Sequence, residues 1–318
     1  MEQGFDKGSG PGIDGAAVDS QRSDDATMSI EQRIRARGAV LDMPLTLSIY
    51  KPMLENQRRD GVDVDRDISY GGDARHRVDV YRPQTCNEAP RAAMIFLHGG
   101  GFLRGDKSER ENVGQHFARQ GMVVVLANYR LAPRNVWPAG AEDVIAVYRW
   151  LRKNAAQFGA DPNRIFLAGE SAGAAHVATA LLIRRFHPED GLTIAGAVLI
   201  SGTYNVHLEK LAREQFGVAA PDPRNEAYFG SDFERYRQMS TVELIDAPAA
   251  PILITYAELD LLQMQVQAGE LFARLVTNHG FKPQLRVIRG HNHLTQVYAV
   301  NTGDEALSAP VLDFLRRC

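Results

Sequence analysis

Apolar residues in this chain gather into short blocks, and the block lengths predict strands. Residues 92–97, 122–127, 164–168, 195–201, 251–257 and 285–288 form runs of four to seven residues, within strand length and short of a helix. The run at 122–127 is apolar throughout, as a parallel strand covered on both faces must be. Residues 77–81 alternate instead, and Pro83 closes that strand. Between the blocks, Val144, Val147, Tyr148 and Leu151 recur at helical spacing and read as core packing. Residues 174–185 are compatible with another helix, and Ser29 is placed to cap a third that runs through residues 31–36. Strands that alternate with helices predict an α/β fold, a mostly parallel central sheet with helices on both faces.

Outside this alternation the pattern changes. Residues 1–28 are rich in Gly, Asp and Ser with almost no apolar periodicity, the composition of a disordered leader. Residues 29–70 read as an N-terminal cap segment, and residues 71–318 as the domain that carries the sheet. About 50 residues separate the run ending at Ser201 from the one starting at Pro251, too many for a plain connection. A helical cap insertion is therefore expected at about 204–247. Its aromatic residues Phe216, Tyr228, Phe229, Phe233 and Tyr236 either line a pocket or anchor the insertion to the core.

Composition narrows the classes of function. With 318 residues and 44% hydrophobic content the chain can bury a large core, and its net charge of −3 offers no electrostatic case for nucleic acid or an anionic membrane. No apolar run approaches the length of a membrane span, and the N-terminus lacks the basic start and apolar core of a signal peptide. Cys86 and Cys318 are too few for a disulfide framework and read as free thiols. These features together predict a cytoplasmic protein. Homo-oligomer formation is left open, because a dimerising surface looks like any other in sequence.

The chemistry concentrates where strands end. Gly169-Glu170-Ser171-Ala172-Gly173 follows the run at 164–168 and opens a helix. G-x-S-x-G in that context is the form of a nucleophile elbow, which makes Ser171 a candidate nucleophile. His98-Gly99-Gly100-Gly101-Phe102 follows the strand at 92–97, and unshielded backbone N–H groups there can stabilise an oxyanion. Neither of the glycine-rich phosphate motifs is present at this loop. A carboxylate and then a histidine should follow the serine in chain order. Asp260, directly after the strand at 251–257, is the candidate acid, with Glu258 as the alternative. Of the three later histidines, His279 precedes Gly280 at the end of an apparent helix and reads as a capping residue. His291 and His293 both follow the strand at 285–288, and either can serve as the base. No further ligands are spaced near this pair, so no metal is expected, and the chemistry asks for no cofactor.

His98-Gly99-Gly100-Gly101, Asn128-Tyr129-Arg130-Leu131-Ala132-Pro133, Trp137-Pro138-Ala139 with Glu142-Asp143, and the elbow together resemble the hormone-sensitive-lipase-like carboxylesterases of the α/β-hydrolase fold, over roughly residues 75 to 318. The resemblance implies oxyanion donors at Gly100, Gly101 and Ala172. It also implies hydrolysis of short-chain or aryl carboxylic esters, small molecules, through a Ser-His-Asp acyl-enzyme. The chain departs from the family at Asp260-Leu261-Leu262 and at His293-Leu294-Thr295. The second departure is similar to kynurenine formamidases, which favours His293 over His291 and keeps an arylformamidase-type amide hydrolase as an alternative. A third reading is a non-catalytic ligand-binding protein on the same fold, as in the gibberellin receptors.

Overall fold

The computed structural model describes residues 28–84, 89–208, 223–247 and 250–318. Eight strands form one sheet in the order β1-β2-β4-β3-β5-β6-β7-β8. They are β1 (Val62–Ser69), β2 (Arg77–Pro83), β3 (Arg91–Leu97), β4 (Val123–Ala127), β5 (Ala160–Glu170), β6 (Gly196–Ile200), β7 (Ile252–Leu259) and β8 (Gln284–Asn292). β2 runs antiparallel to both β1 and β4, and all other pairs are parallel. β3 and β5 to β8 therefore present their C-terminal ends along one rim. The helices are α1 (Ile30–Arg37), α2 (Met43–Glu55), α3 (Glu111–Arg119), α4 (Ala139–Asn154), α5 (Ala172–Leu182), α6 (Pro223–Phe229), α7 (Thr241–Leu244), α8 (Leu262–Thr277), α9 (Thr295–Tyr298) and α10 (Ser308–Arg317).

The unbroken apolar runs are explained by two cores, one on each face. Successive side chains of a strand point to opposite sides. Ala93, Ile95 and Leu97 of β3 thus join Val144, Val147, Val177 and Leu271 of α4, α5 and α8. Met94 and Phe96 join Val113 and Phe117 of α3 and Phe314 of α10. β4 divides in the same way, with Val123 and Val125 in the first core and Val124 and Leu126 in the second. At roughly 1.5–3 kcal/mol for each large apolar side chain removed from water, these two layers supply most of what holds the rim in place.

The pattern at residues 62–69 announced no strand, because Asp63, Asp65 and Asp67 interrupt it. β1 forms at the sheet edge, paired only with β2, where charged side chains can face water. The span 29–70 therefore contributes two helices and an edge strand. α1 opens with a reciprocal cap, in which Gln32 N donates to Ser29 Oγ at 3.2 Å and Ser29 N donates to Gln32 Oε1 at 2.8 Å. Ile49 and Tyr50 of α2 pack with Ile34 of α1 against Tyr298 and Ala299, above the C-terminal rim. Asp161-Pro162-Asn163 lies inside β5, where Asp161 Oδ1 accepts from Asn163 N at 2.8 Å and the pairing with β3 shifts register.

Of the aromatic residues in the insertion, Tyr228, Phe229 and Tyr236 cluster with Phe102, Ala172 and Ala175, and Phe233 packs against them. Tyr228 stacks on Phe102 at 4.6 Å. They anchor the insertion onto the elbow helix. Phe216, Cys86 and residues 1–27 of the expected leader lie outside the described residues, whereas Cys318 is an exposed free thiol.

Candidate active site

Ser171 sits between β5 and α5 with φ 50° and ψ −118°, a left-handed backbone rare for a side chain with a Cβ. The turn is held by Ser171 N donating to Ile200 O at 2.8 Å, and by glycine at 173, where a Cβ would run into the carbonyls of Leu97 and His98. The close crossing brings the elbow directly under the end of β3.

His293 enters from the loop after β8. Its Nε2 is 3.0 Å from Ser171 Oγ and its Nδ1 is 2.7 Å from Asp260 Oδ1. A carboxylate only accepts, so Nδ1 carries the proton and Nε2 is left with its lone pair toward the serine hydroxyl. Burial by itself would lower the His293 pKa, but the charge and hydrogen bond of Asp260, helped by the charge of Glu170, leave it raised above the usual histidine value.

Asp260 is fully buried just after β7. Oδ1 also accepts from Leu261 N at 2.9 Å, and Oδ2 accepts from Ser201 Oγ at 2.5 Å and Ala257 N at 3.2 Å. Ser201 is itself held by Gln296 Nε2 at 2.7 Å, which also donates to His293 O at 3.2 Å. Neither Ser201 nor Gln296 stood out in the sequence. The signal for Ser201 was its place at the end of a strand-like run, on the rim shared by every candidate.

The alternatives lie elsewhere. His291 turns away: Nε2 is 3.2 Å from Asp304 Oδ2 and Nδ1 is 3.2 Å from Thr295 Oγ1, so it ties the end of β8 to α9 and to the loop that follows α9. Glu258 receives Arg35 of α1 through both guanidinium branches, at 3.2 and 2.9 Å, and accepts from Gly290 N at 2.8 Å. Its contact with Arg35 holds it below the usual carboxylate range. His279 lies beyond α8, whose C-cap is Asn278, and stacks on Phe281.

Gly99, Gly100 and Gly101 line the same cavity as Ser171 and His293, and a Cβ placed on Gly99 would lie 3.2 Å from that of Ser171. Gly100 has φ 136° and its carbonyl accepts from Leu103 N and Arg104 N at 3.4 and 3.2 Å, a fold of the chain in which a Cβ would collide with Arg104 O. Ala172, the first residue of α5, adds an N–H that a helix N-terminus leaves without an intrahelical partner. Two supports underlie the loop. Glu170 Oε1 accepts from Gly99 N at 3.0 Å and from Arg110 Nε, and the Arg110 guanidinium lies 4.6 Å from the Tyr298 ring. His98 Nδ1 is 2.7 Å from Gly99 O, and burial pushes its pKa down to about 4, so it stays neutral and donates. Glu170 was visible only as the variable residue of the elbow, and Arg110 carried no local signal.

The cavity has a volume of about 500 Å³, and its walls also include Leu41, Met43 and Leu47 from the N-terminal segment and Arg224 and Asn225 from α6. Among the described residues, Phe102 is the one aromatic of the anchoring cluster that lines it. Among the described residues there is no group of three or more side chains suited to holding a metal, and no helix is long and apolar enough to cross a membrane.

Residues 94–297 match the family model described as the alpha/beta hydrolase fold. Esterase LipI of Mycobacterium tuberculosis is 41% identical over 96 residues, which is 30% of each chain. Lipase 2 of a Moraxella species is 28% identical over 261 residues, 70% of this chain and 59% of that one. The alignments cover only about a third of the length of the first curated relatives. Among solved structures, an inhibited esterase B from Lactobacillus rhamnosis superposes with a TM-score of 0.71 at 20% identity, covering 86% of this chain and 92% of that one, a likeness of fold.

Proposed function

This chain belongs to the alpha/beta hydrolase fold family, and from that premise we propose that it hydrolyses carboxylic esters of small molecules through an acyl-enzyme on Ser171. The observation that carries the reading is the continuous chain of contacts from Asp260 through His293 to Ser171 Oγ, at 2.7 and 3.0 Å. Relatives named esterase and carboxylesterase support the same class of reaction.

In the first half-reaction, Ser171 Oγ attacks the ester carbonyl while His293 Nε2 takes its proton. Asp260 fixes the imidazole tautomer and stabilises the imidazolium, and Ser201 and Gln296 fix Asp260. The oxyanion forms against the N–H groups of Gly100, Gly101 and Ala172, each worth about 3 kcal/mol in the transition state. His293 then returns the proton to the leaving alcohol. In the second half-reaction it activates water, which attacks the acyl-enzyme and releases the acid.

A receptor-like reading requires the base to be missing or displaced, whereas here a histidine nitrogen stands within hydrogen-bond distance of the serine. Replacement Ser171→Ala tests the proposal: the folded variant should lose turnover of 4-nitrophenyl butyrate, and retention of near-native turnover would contradict it.

A further inference from the structure

Two buried polar side chains of the cavity, Gln263 and Thr203, stand unpaired. Gln263 is 7% exposed and Thr203 is 6% exposed, and both line the cavity that contains Ser171 and His293. Neither side chain makes a hydrogen bond to any of the described residues. Buried polar groups in folded proteins are paired almost throughout, so the exception asks for a reason. Polar neighbours of the two are engaged. Ser201 Oγ donates to Asp260 Oδ2 at 2.5 Å, Gln265 Nε2 donates to Asp260 O at 2.9 Å, and Gln267 Oε1 accepts from Asn205 N at 2.8 Å.

The fold puts the unpaired groups on adjoining stretches of the wall. Gln263 lies in the first turn of α8, shortly after Asp260, the residue that holds His293. Gln267 is four positions further along α8 and therefore on the same face of the helix. It accepts from both Tyr204 N and Asn205 N, so this face packs on the segment after β6 that carries Thr203.

The chemistry of the pair defines what would complete it. The Gln263 amide donates through its nitrogen and accepts through its oxygen, and the Thr203 hydroxyl does both. A substrate arm that fills the cavity excludes water from these groups, so an apolar arm leaves both without partners. A hydroxyl, which also donates and accepts, can satisfy both. Sites that hydrogen-bond a substrate hydroxyl discriminate strongly against the analogue that lacks it.

Resting on the ester-hydrolase reading, we propose that the preferred substrates are esters with an uncharged hydroxyl on one arm, bound by Gln263 and Thr203 while Ser171 attacks the ester carbonyl.

The test compares hydroxyl esters, on the full chain, with isosteres in which a methyl group replaces the hydroxyl. 4-Nitrophenyl 3-hydroxybutyrate against 4-nitrophenyl 3-methylbutyrate places the hydroxyl on the acyl arm, and 3-hydroxypropyl butyrate against butyl butyrate places it on the alcohol arm. For one pair, kcat/KM for the hydroxyl ester should exceed that for the isostere by about tenfold or more. Gln263→Met and, separately, Thr203→Val keep the size of the side chain and remove its hydrogen bonding, and each should lower the ratio several-fold. Thr203→Ser should keep it. The two positions lie on different segments, so the test stays informative if one variant fails to fold. Turnover with no preference for the hydroxyl in either pair, or a ratio that folded Gln263→Met or Thr203→Val leaves unchanged, overturns this proposal alone. Absence of turnover of all four esters overturns the ester-hydrolase reading, and this proposal with it.

Discussion

His293 Nε2 lies 3.0 Å from Ser171 Oγ although 122 residues separate the two in sequence. The contact exists because both follow strands that run parallel in one sheet and so emerge on the same rim, Ser171 from β5 and His293 from β8.

The first consequence is a pH dependence. The base acts as the neutral imidazole, and Asp260 and Glu170 raise its pKa against the opposing effect of burial. kcat/KM should therefore fall on the acid side as one proton binds, with a midpoint above the ordinary histidine value of about 6.5. Asp260→Asn removes the main raising contributions and leaves burial, so the midpoint should move down. It should also disturb the tautomer and lower kcat by on the order of 10⁴. A pH–rate profile of both proteins checks the two signs.

The two neighbouring histidines should separate cleanly. His291→Ala removes contacts with Asp304 and Thr295, and should lower stability by about 1–3 kcal/mol with kcat within a few-fold of native. His293→Ala should lower kcat at least about 10³-fold. Parallel thermal melts and ester kinetics distinguish them, and a larger kcat loss at position 291 would overturn the assignment of the base.

Ser201 should behave as a positioning residue. Its hydroxyl donates to Asp260 Oδ2 at 2.5 Å inside a buried site, and hydrogen bonds to charged groups are worth about 1.5–3 kcal/mol. Ser201→Ala should lower kcat about tenfold with KM little changed, and should shift the acid midpoint of the pH profile, which a purely structural role would leave in place. Restoration by Ser201→Thr would identify the hydroxyl as the cause.

Much of this site was legible in the sequence because its parts are local. The elbow, the glycine loop and the carboxylate after β7 each occupy a strand end, and strand ends are marked by where an apolar run stops. The choice between His291 and His293 was not local. The two lie two residues apart at the end of β8, His291 in its last residues and His293 just beyond, and only the path of the chain there turns one toward Ser171 and the other toward Asp304. The roles of Ser201, Gln296 and Arg110 were hidden for the same reason, since their partners lie 59, 95 and 60 residues away. β1 was missed because an edge strand needs no continuous apolar face.

The proposed mechanism requires Ser171 as the nucleophile, activated by His293. Treatment with a fluorophosphonate followed by mass spectrometry of the digested protein measures this directly. A single phosphonyl adduct on Ser171 is expected, formed in step with loss of ester hydrolysis and suppressed in His293→Ala. No adduct on Ser171, or inactivation through a different residue, would contradict it.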